Sequence, residues 1–196
     1  MLTTLLDTQK WKIQGSPEWL EYRRTKIGAS DAPIIMGESP WNTPDQLMKN
    51  KLLGIHNEIN FWMQRGIDLE DSARQCFENI TGILFSKDVL IHPRYPWMIA
   101  SVDGIDIEEK QILEIKCPGK RDHACAKNGE IPAKYNAQLQ HQMEVCQLDQ
   151  VHYFSFDGLE GIHLIAYRDD KYIENMIEKE IDFWNILDKE LRKLES

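Results

Sequence analysis

Residues 16–25 (SPEWLEYRRT) place Ser16 as an N-cap, Pro17 at the first helical position and Glu18 in the first turn, which predicts a helix. Thr43-Pro44-Asp45-Gln46 repeats that logic with Thr43 and Gln46 spaced for a capping box, and this helix should end near Gly54. A longer helix is predicted over 60–81, stopped at Thr81-Gly82. The period then changes. Residues 83–92 (ILFSKDVLIH), 97–103 and 110–116 are short apolar or alternating runs broken by Pro93, Pro96 and Gly104, and they predict three successive antiparallel strands. Helix returns over 132–147, with Leu139, Met143 and Cys146 on one face. Strands at 150–157 and 161–168 follow, joined across Asp157-Gly158. The last helix, 169–195, sets Ile173, Ile177, Ile181, Trp184, Leu187, Leu191 and Leu194 along one stripe.

This order of elements suggests an α/β or α+β sheet flanked by helices. At 196 residues, with no repeat, low-complexity stretch or Gly/Pro/Ser-rich linker, the chain suits one domain spanning 1–196. No apolar run approaches the roughly 18 residues of a membrane span. The opening MLTTLLDTQKWK lacks the basic start and long apolar middle of a secretory signal, so no membrane association and a cytoplasmic location are expected. Cys76, Cys117, Cys125 and Cys146 form no CxxC pair and no tight cluster. They suggest neither zinc, an iron–sulfur cluster nor a disulfide framework, only small buried or half-buried thiols.

The net charge of −9 argues at first against nucleic acid, because phosphate contacts dominate DNA affinity. The average conceals an asymmetry. Residues 110–134 hold Lys110, Lys116, Lys120, Arg121, Lys127 and Lys134 against Glu114, Asp122 and Glu130, whereas 157–196 carry eleven acids against six bases. One basic strip on an acidic surface is compatible with DNA in a single groove and equally with an ordinary acidic enzyme.

The chemistry concentrates in Ser101-Val102-Asp103-Gly104 and Leu113-Glu114-Ile115-Lys116-Cys117-Pro118. On a strand, Glu114 and Lys116 point the same way, about 6.6–6.8 Å apart along the chain, while Ile115 turns to the core. Asp103, expected to end the preceding strand, can come beside Glu114 through a short hairpin. Two such carboxylates repel unless a cation lies between them, and hard oxygen ligands suit Mg²⁺. A bound metal acidifies water and stabilises charge on a phosphate, and a neighbouring lysine can orient or help deprotonate that water. A surface hairpin with a cross-strand Glu–Lys pair is the alternative. Glu70, in Gly66-Ile67-Asp68-Leu69-Glu70, offers a third carboxylate or a solvated helix glutamate. Gln138 and Gln142, four apart beside the apolar stripe, could hold phosphate or water, or simply form a polar helix flank. Arg23 and Arg24 precede the turn Gly28-Ala29-Ser30-Asp31. Arginine, a hydroxyl and free backbone N–H groups at a helix start suit a terminal phosphate; a basic surface helix followed by a simple N-cap is the alternative.

The ordered series W-x3-R-x6-S, G-x3-E, S-x-D-G, L-E-I-K-C-P and Y-x-A-Q-x-Q-x-x-M, from Trp19 to about Val145, resembles the lambda exonuclease/YqaJ family of phage-type recombination nucleases. The resemblance implies a PD-(D/E)XK core with a central mixed sheet flanked by helices, and Mg²⁺-dependent, processive 5′-to-3′ digestion of one strand of linear duplex DNA, leaving a 3′ overhang for single-strand annealing. Mn²⁺ is expected to substitute. By matched position it implies Asp103, Glu114 and the Ile115 carbonyl as metal ligands, Lys116 on the nucleophilic water, Glu70 as an auxiliary carboxylate and Gln138 as an active-site polar residue. Arg23, Ser30 and Ser101 match positions that bind the 5′ phosphate. A ring-shaped homotrimer around DNA, a single-strand annealing protein as partner and a phage or prophage origin in a bacterial host are implied as well. Val102 stands where the superfamily name suggests proline. Two rivals remain: another PD-(D/E)XK enzyme, such as a restriction-type endonuclease or repair nuclease, and a catalytically silent DNA-binding module. The unclustered cysteines disfavour a related iron–sulfur nuclease.

Overall fold

The protein is described by a computed structural model covering residues 15–55, 59–106, 108 and 110–194. The opening MLTTLLDTQKWK and Glu195, at the end of the expected last helix, lie outside the described residues.

Helix α1 (Pro17–Arg24) starts as the sequence dictates, with the Ser16 hydroxyl accepting from Trp19 N at 3.0 Å. A two-residue strand β1 (Ile27–Gly28) and a single helical turn α2 (Ala32–Ile35) follow. Helix α3 (Pro44–Leu53) carries the full capping box of Thr43 and Gln46 and ends on Gly54 in the left-handed conformation. Helix α4 (Phe61–Thr81) is capped by Asn60 and closed by Gly82. Then come β2 (Ser86–Ile91), β3 (Met98–Asp106), β4 (Gln111–Lys116), α5 (Lys120–Lys127), a 3₁₀ turn at Ala133–Tyr135, α6 (Asn136–Cys146), β5 (Gln150–Phe156), β6 (Gly161–Tyr167) and α7 (Asp170–Leu194).

The six strands form one mixed sheet in the order β1-β3-β4-β5-β6, with β2 on the other edge of β3. The β2–β3, β3–β4 and β5–β6 pairs are antiparallel; β1–β3 and β4–β5 are parallel. Alternation along β4 and β5 divides the core. Leu113, Ile115, Phe154 and Phe156 face α4 and its Phe77, while Ile112, Val151 and Tyr153 join the larger core shared with α6 and α7. The expected mixed sheet flanked by helices is therefore present.

Several boundaries differ from the sequence reading. Residues 83–85 are not strand, and β3 runs three residues beyond Asp103 because Gly104 does not break it. A Cβ on Gly104 would lie 2.5 Å from the Phe85 Cβ, so the glycine lets Phe85 close over the sheet. Strand β1 and helix α5 were not foreseen. The α7 stripe is wider than expected: Ile173, Leu187 and Leu191 are buried and Ile177, Ile181 and Trp184 pack against the core, while Met176, Glu180 and Phe183 are buried as well and Leu194 is exposed. All four cysteines are free and half-buried, as expected. Val102, at the position where proline was considered, is fully buried in the core.

Candidate active site

The site lies where the sheet forks. Strand β2 occupies one edge of β3, and the opposite edge is shared in succession by β1, at Met98 and Ile99, and by β4, at Gly104 to Asp106. Between them that edge has no strand partner over residues 100–103 among the described residues. The last β3–β4 rung pairs Gly104 with Leu113, so one step further sets Asp103 opposite Glu114 just where pairing stops. Instead of a ladder bond, the Ile115 N–H donates to Asp103 Oδ2 at 2.8 Å. An extended residue directs its N–H and C=O to the same edge, so the Ile115 carbonyl also faces this fork.

Glu114 and Lys116 share the face toward α6, as the period of two requires. Glu114 is 2% exposed, which rules out the surface-hairpin reading. Its Oε1 lies 2.5 Å from Lys116 Nζ and accepts from Gln138 Nε2 at 2.6 Å, and its Oε2 accepts from Gln142 Nε2 at 2.5 Å. Lys116 Nζ also donates to Gln138 Oε1 at 3.0 Å and lies 5.2 Å from the Tyr135 ring centroid. The two glutamines thus grip the catalytic-candidate carboxylate directly, one per oxygen. Gln142 and Tyr135 were not singled out for this role; the i, i+4 spacing of Gln138 and Gln142 was the available signal.

Burial pushes the Asp103 carboxyl up to about 8, with Glu114 and Glu70 adding repulsion that Lys116 only partly offsets. For Lys116, burial works against the charge, but Glu114 and Asp103 outweigh it and raise the ammonium above its ordinary value. Glu70, on α4, is held by Arg74 at 2.8 Å and by Lys87 at 2.7 Å while lining the same cleft. Arg74 also donates to the Asp103 carbonyl, so α4 is fastened to the fork.

The cleft has a volume of about 1010 Å³. Lys116, Lys120, Arg121 and Lys134 contribute its basic side, and Trp41, Trp62, Met63 and Ile67 its apolar side. Lys110 and Lys127 do not line it, and Lys127 pairs instead with Glu160 at 2.5 Å. A side chain on Gly119 would meet Trp62 at 3.0 Å, so this glycine admits the indole against the loop after β4.

A second, smaller hollow of about 140 Å³ adjoins the first, with Ser101 and Gln138 lining both. Arg23, Ser30 and Ser101, distant in sequence, meet there beside Trp19 and Gly28. Arg23 Nη2 donates to Ser30 Oγ at 2.5 Å and lies 3.5 Å from Asp31 Oδ1. The buried Ser101 Oγ has no hydrogen-bond partner among the described residues.

Among the described residues no three His, Cys, Asp or Glu side chains gather as a ready metal cage. The donors at the fork are two facing carboxylates and one carbonyl. That set fits Mg²⁺, which keeps several of its waters, and a cation would relieve the repulsion expressed in Asp103.

A model of the YqaJ-like viral recombinase domain matches residues 18–149. The uncharacterized protein YqaJ of Bacillus subtilis (strain 168) is 34% identical over 175 residues, which is 86% of this chain. The chain spans 55% of that curated relative's length. The crystal structure of the alkaline exonuclease LHK-Exo from Laribacter hongkongensis superposes with a TM-score of 0.77 at 28% identity, covering 92% of this chain and 96% of that one. Its complex with dAMP also gives 0.77, at 27% identity over 91% and 96% of the two chains. A phage related exonuclease from Haemophilus somnus 129PT shares the fold, with a TM-score of 0.64 at 17% identity over 87% of this chain and 96% of that one.

Proposed function

The chain belongs to the YqaJ-like viral recombinase family, and from that premise we propose that it is a metal-dependent exonuclease digesting one strand of linear duplex DNA from its 5′ end. The observation that carries this reading is the adjacency of two sites. A carboxylate–lysine fork opens beside a small polar hollow bearing Arg23, Ser30 and Ser101, and Ser101 and Gln138 line both. A hollow suited to a terminal phosphate next to the cutting site makes the enzyme depend on an end, which a restriction-type or repair endonuclease does not need. The alkaline exonuclease from Laribacter hongkongensis, whose complex with dAMP has the same overall fold, supports the nuclease assignment.

In this reading Asp103, Glu114 and the Ile115 carbonyl hold Mg²⁺, with Mn²⁺ able to replace it. The ion supplies an acidified water and positive charge for the phosphate. The Ile115 N–H orients Asp103, while Gln138 and Gln142 fix both oxygens of Glu114. Lys116, kept charged by its carboxylate neighbours, acts as a hydrogen-bond donor that orients the attacking water. Glu70 contributes negative charge from α4, tempered by Arg74 and Lys87. Arg23, Ser30 and Ser101 receive the 5′ phosphate, and the Ser101 hydroxyl brings an unused hydrogen-bonding capacity.

Residues 1–196 act as one exonuclease domain, a reading supported by the single sheet that serves all three core clusters of the described residues. The product is a 3′ overhang for a single-strand annealing protein, and the working form is a ring-shaped homotrimer. No described helix is long and apolar enough to cross a membrane, which fits work in the cytoplasm of a bacterial host; the viral recombinase family fits a phage or prophage gene. The test is a time course on linear duplex labelled separately at each end, with 5′-phosphate and 5′-hydroxyl versions, with and without Mg²⁺. Stepwise loss of the 5′ label with Mg²⁺ is expected. Internal cuts, loss from the 3′ end, or equal activity in a chelator would refute the assignment.

A further inference from the structure

Asp31 and Lys51 are charged side chains buried behind the small hollow, exposed by 4% and 7%. Lys51 comes from α3 and uses its ammonium fully: Asp31 Oδ2 at 2.9 Å, the Lys26 carbonyl at 2.7 Å and the Arg23 carbonyl at 3.3 Å. Asp31 divides its oxygens. Oδ2 takes Lys51 and the Gly28 N–H at 2.9 Å, while Oδ1 faces Arg23 Nη2 at 3.5 Å. Arg23 therefore reaches the hollow with its backbone tied by Lys51 and its guanidinium flanked by Asp31 and Ser30.

A carboxylate that aims an arginine ordinarily cancels the charge it aims. Here a buried lysine supplies the balance, so the trio Arg23, Asp31 and Lys51 keeps one net positive charge for an anion. We infer that Asp31, balanced by Lys51, is a positioning residue that sets Arg23 and with it the preference for a 5′-phosphorylated end. This inference rests on reading the small hollow as the phosphate site. Asp31 stays ionised: burial opposes its charge, but Lys51 and Arg23 outweigh burial and the net shift is downward.

The experiment measures KM and kcat of the full chain on linear duplex ending in 5′-phosphate or 5′-hydroxyl. Asp31→Asn and Lys51→Met are made together, so that no buried charge is stranded. The KM for phosphorylated ends should rise roughly tenfold, with kcat and the hydroxyl-end KM held. In an Arg23→Ala background the same pair should change the end preference no further, since both act through one contact. A folded double variant that keeps full preference, loses activity equally on both ends, or adds to Arg23→Ala overturns the inference. Should the pair not fold, Lys51→Met is measured alone, where Asp31 keeps Arg23 as its counter-charge: the trio then carries no net charge, so the preference should fall, and a full preference overturns the inference. A wild-type chain indifferent to the end group refutes the phosphate site itself, and the inference with it; a wild-type preference that survives the paired change refutes only the role of Asp31.

Discussion

Asp103 and Glu114 face each other at the first position beyond the last paired rung of β3 and β4, so two carboxylates meet where the sheet stops bonding to itself. Among the described residues Asp103 has one backbone donor, from Ile115, whereas Glu114 is held by Lys116, Gln138 and Gln142. The pair is thus alike in chemistry and unlike in support.

That asymmetry separates two variants. Asp103→Asn and Glu114→Gln should each lower Mg²⁺-dependent cleavage by at least about a thousandfold, because each removes a proposed ligand. Asp103→Asn should keep or raise Tm, since burial and Glu114 already disfavour its charge. Glu114→Gln leaves the half-buried Lys116 without its nearest counter-charge and should lower Tm. Thermal melts beside a cleavage assay check both, and substantial metal-dependent cleavage by either variant refutes the site.

Much of this was legible in the chain. The caps at Ser16 and Thr43 have local causes, and the alternation of Glu114, Ile115 and Lys116 follows from strand period alone. What escaped depends on distant partners. Strand β1 is two residues long and exists because Ile27 N meets the Trp97 carbonyl at 2.7 Å. Helix α5 (KRDHACAK) buries only His123 and Ala126, too little to produce a stripe. The α7 stripe was legible except where Glu180, a charged residue, takes a core position with its Oε1 paired to His141 from α6. Glu70 was legible as a carboxylate near the site, but its capture by Arg74 and Lys87 needed the fold.

Lys116→Ala should leave DNA binding intact and slow turnover by about 10²–10⁴-fold, the usual range for a positioned proton-handling or water-orienting group. Single-turnover kinetics with a separate binding assay distinguish the two effects. Complete loss of binding would make Lys116 a phosphate anchor instead.

Arg23→Ala should impair digestion of 5′-phosphorylated ends by roughly tenfold or more while sparing 5′-hydroxyl ends, because the charged fork has no counterpart on a hydroxyl. Equal impairment on both ends would reduce Arg23 to a general DNA contact.

His141 is fully buried between Glu180 at 2.8 Å and the Ile99 carbonyl at 3.0 Å. Burial works against its charge, but Glu180, the Ile99 carbonyl and Asp31 outweigh it and raise its pKa above the ordinary 6.5. A group whose folded pKa is raised binds its proton more tightly when folded, so its contribution is full below pH 6.5 and fades as pH rises through the folded value. Relative to a His141→Gln/Glu180→Gln variant, the wild type should therefore gain most stability at acid pH and lose that advantage in alkali. Urea unfolding of both at about pH 6 and about pH 9 measures it; a pH-independent difference would show that folding leaves the His141 pKa unshifted, and an advantage that grows toward pH 9 that His141 is neutral in the fold.

The last prediction follows from charge. A chain of −9 should be repelled by DNA at long range, yet a processive nuclease must remain on the duplex for many cycles. The cleft provides local attraction through Lys120 and Arg121, because Lys116 and Lys134 pair with Glu114 and Asp122, while α7 presents Glu174, Glu178 and Asp182 to solvent. Attraction so confined can hold a threaded duplex but cannot recapture one that has escaped. Enclosure solves this without added affinity: several copies in a closed ring, clefts inward and acidic helices outward, retain DNA topologically. A cyclic homo-oligomer, a trimer by family resemblance, is therefore expected without DNA, visible by native mass spectrometry or light scattering at micromolar concentration. Its initial rate should fall with added salt as inner phosphate contacts are screened, while the run length of complexes already threaded should fall much less. A monomer that digests long DNA processively would overturn the ring and leave the cleavage site untouched.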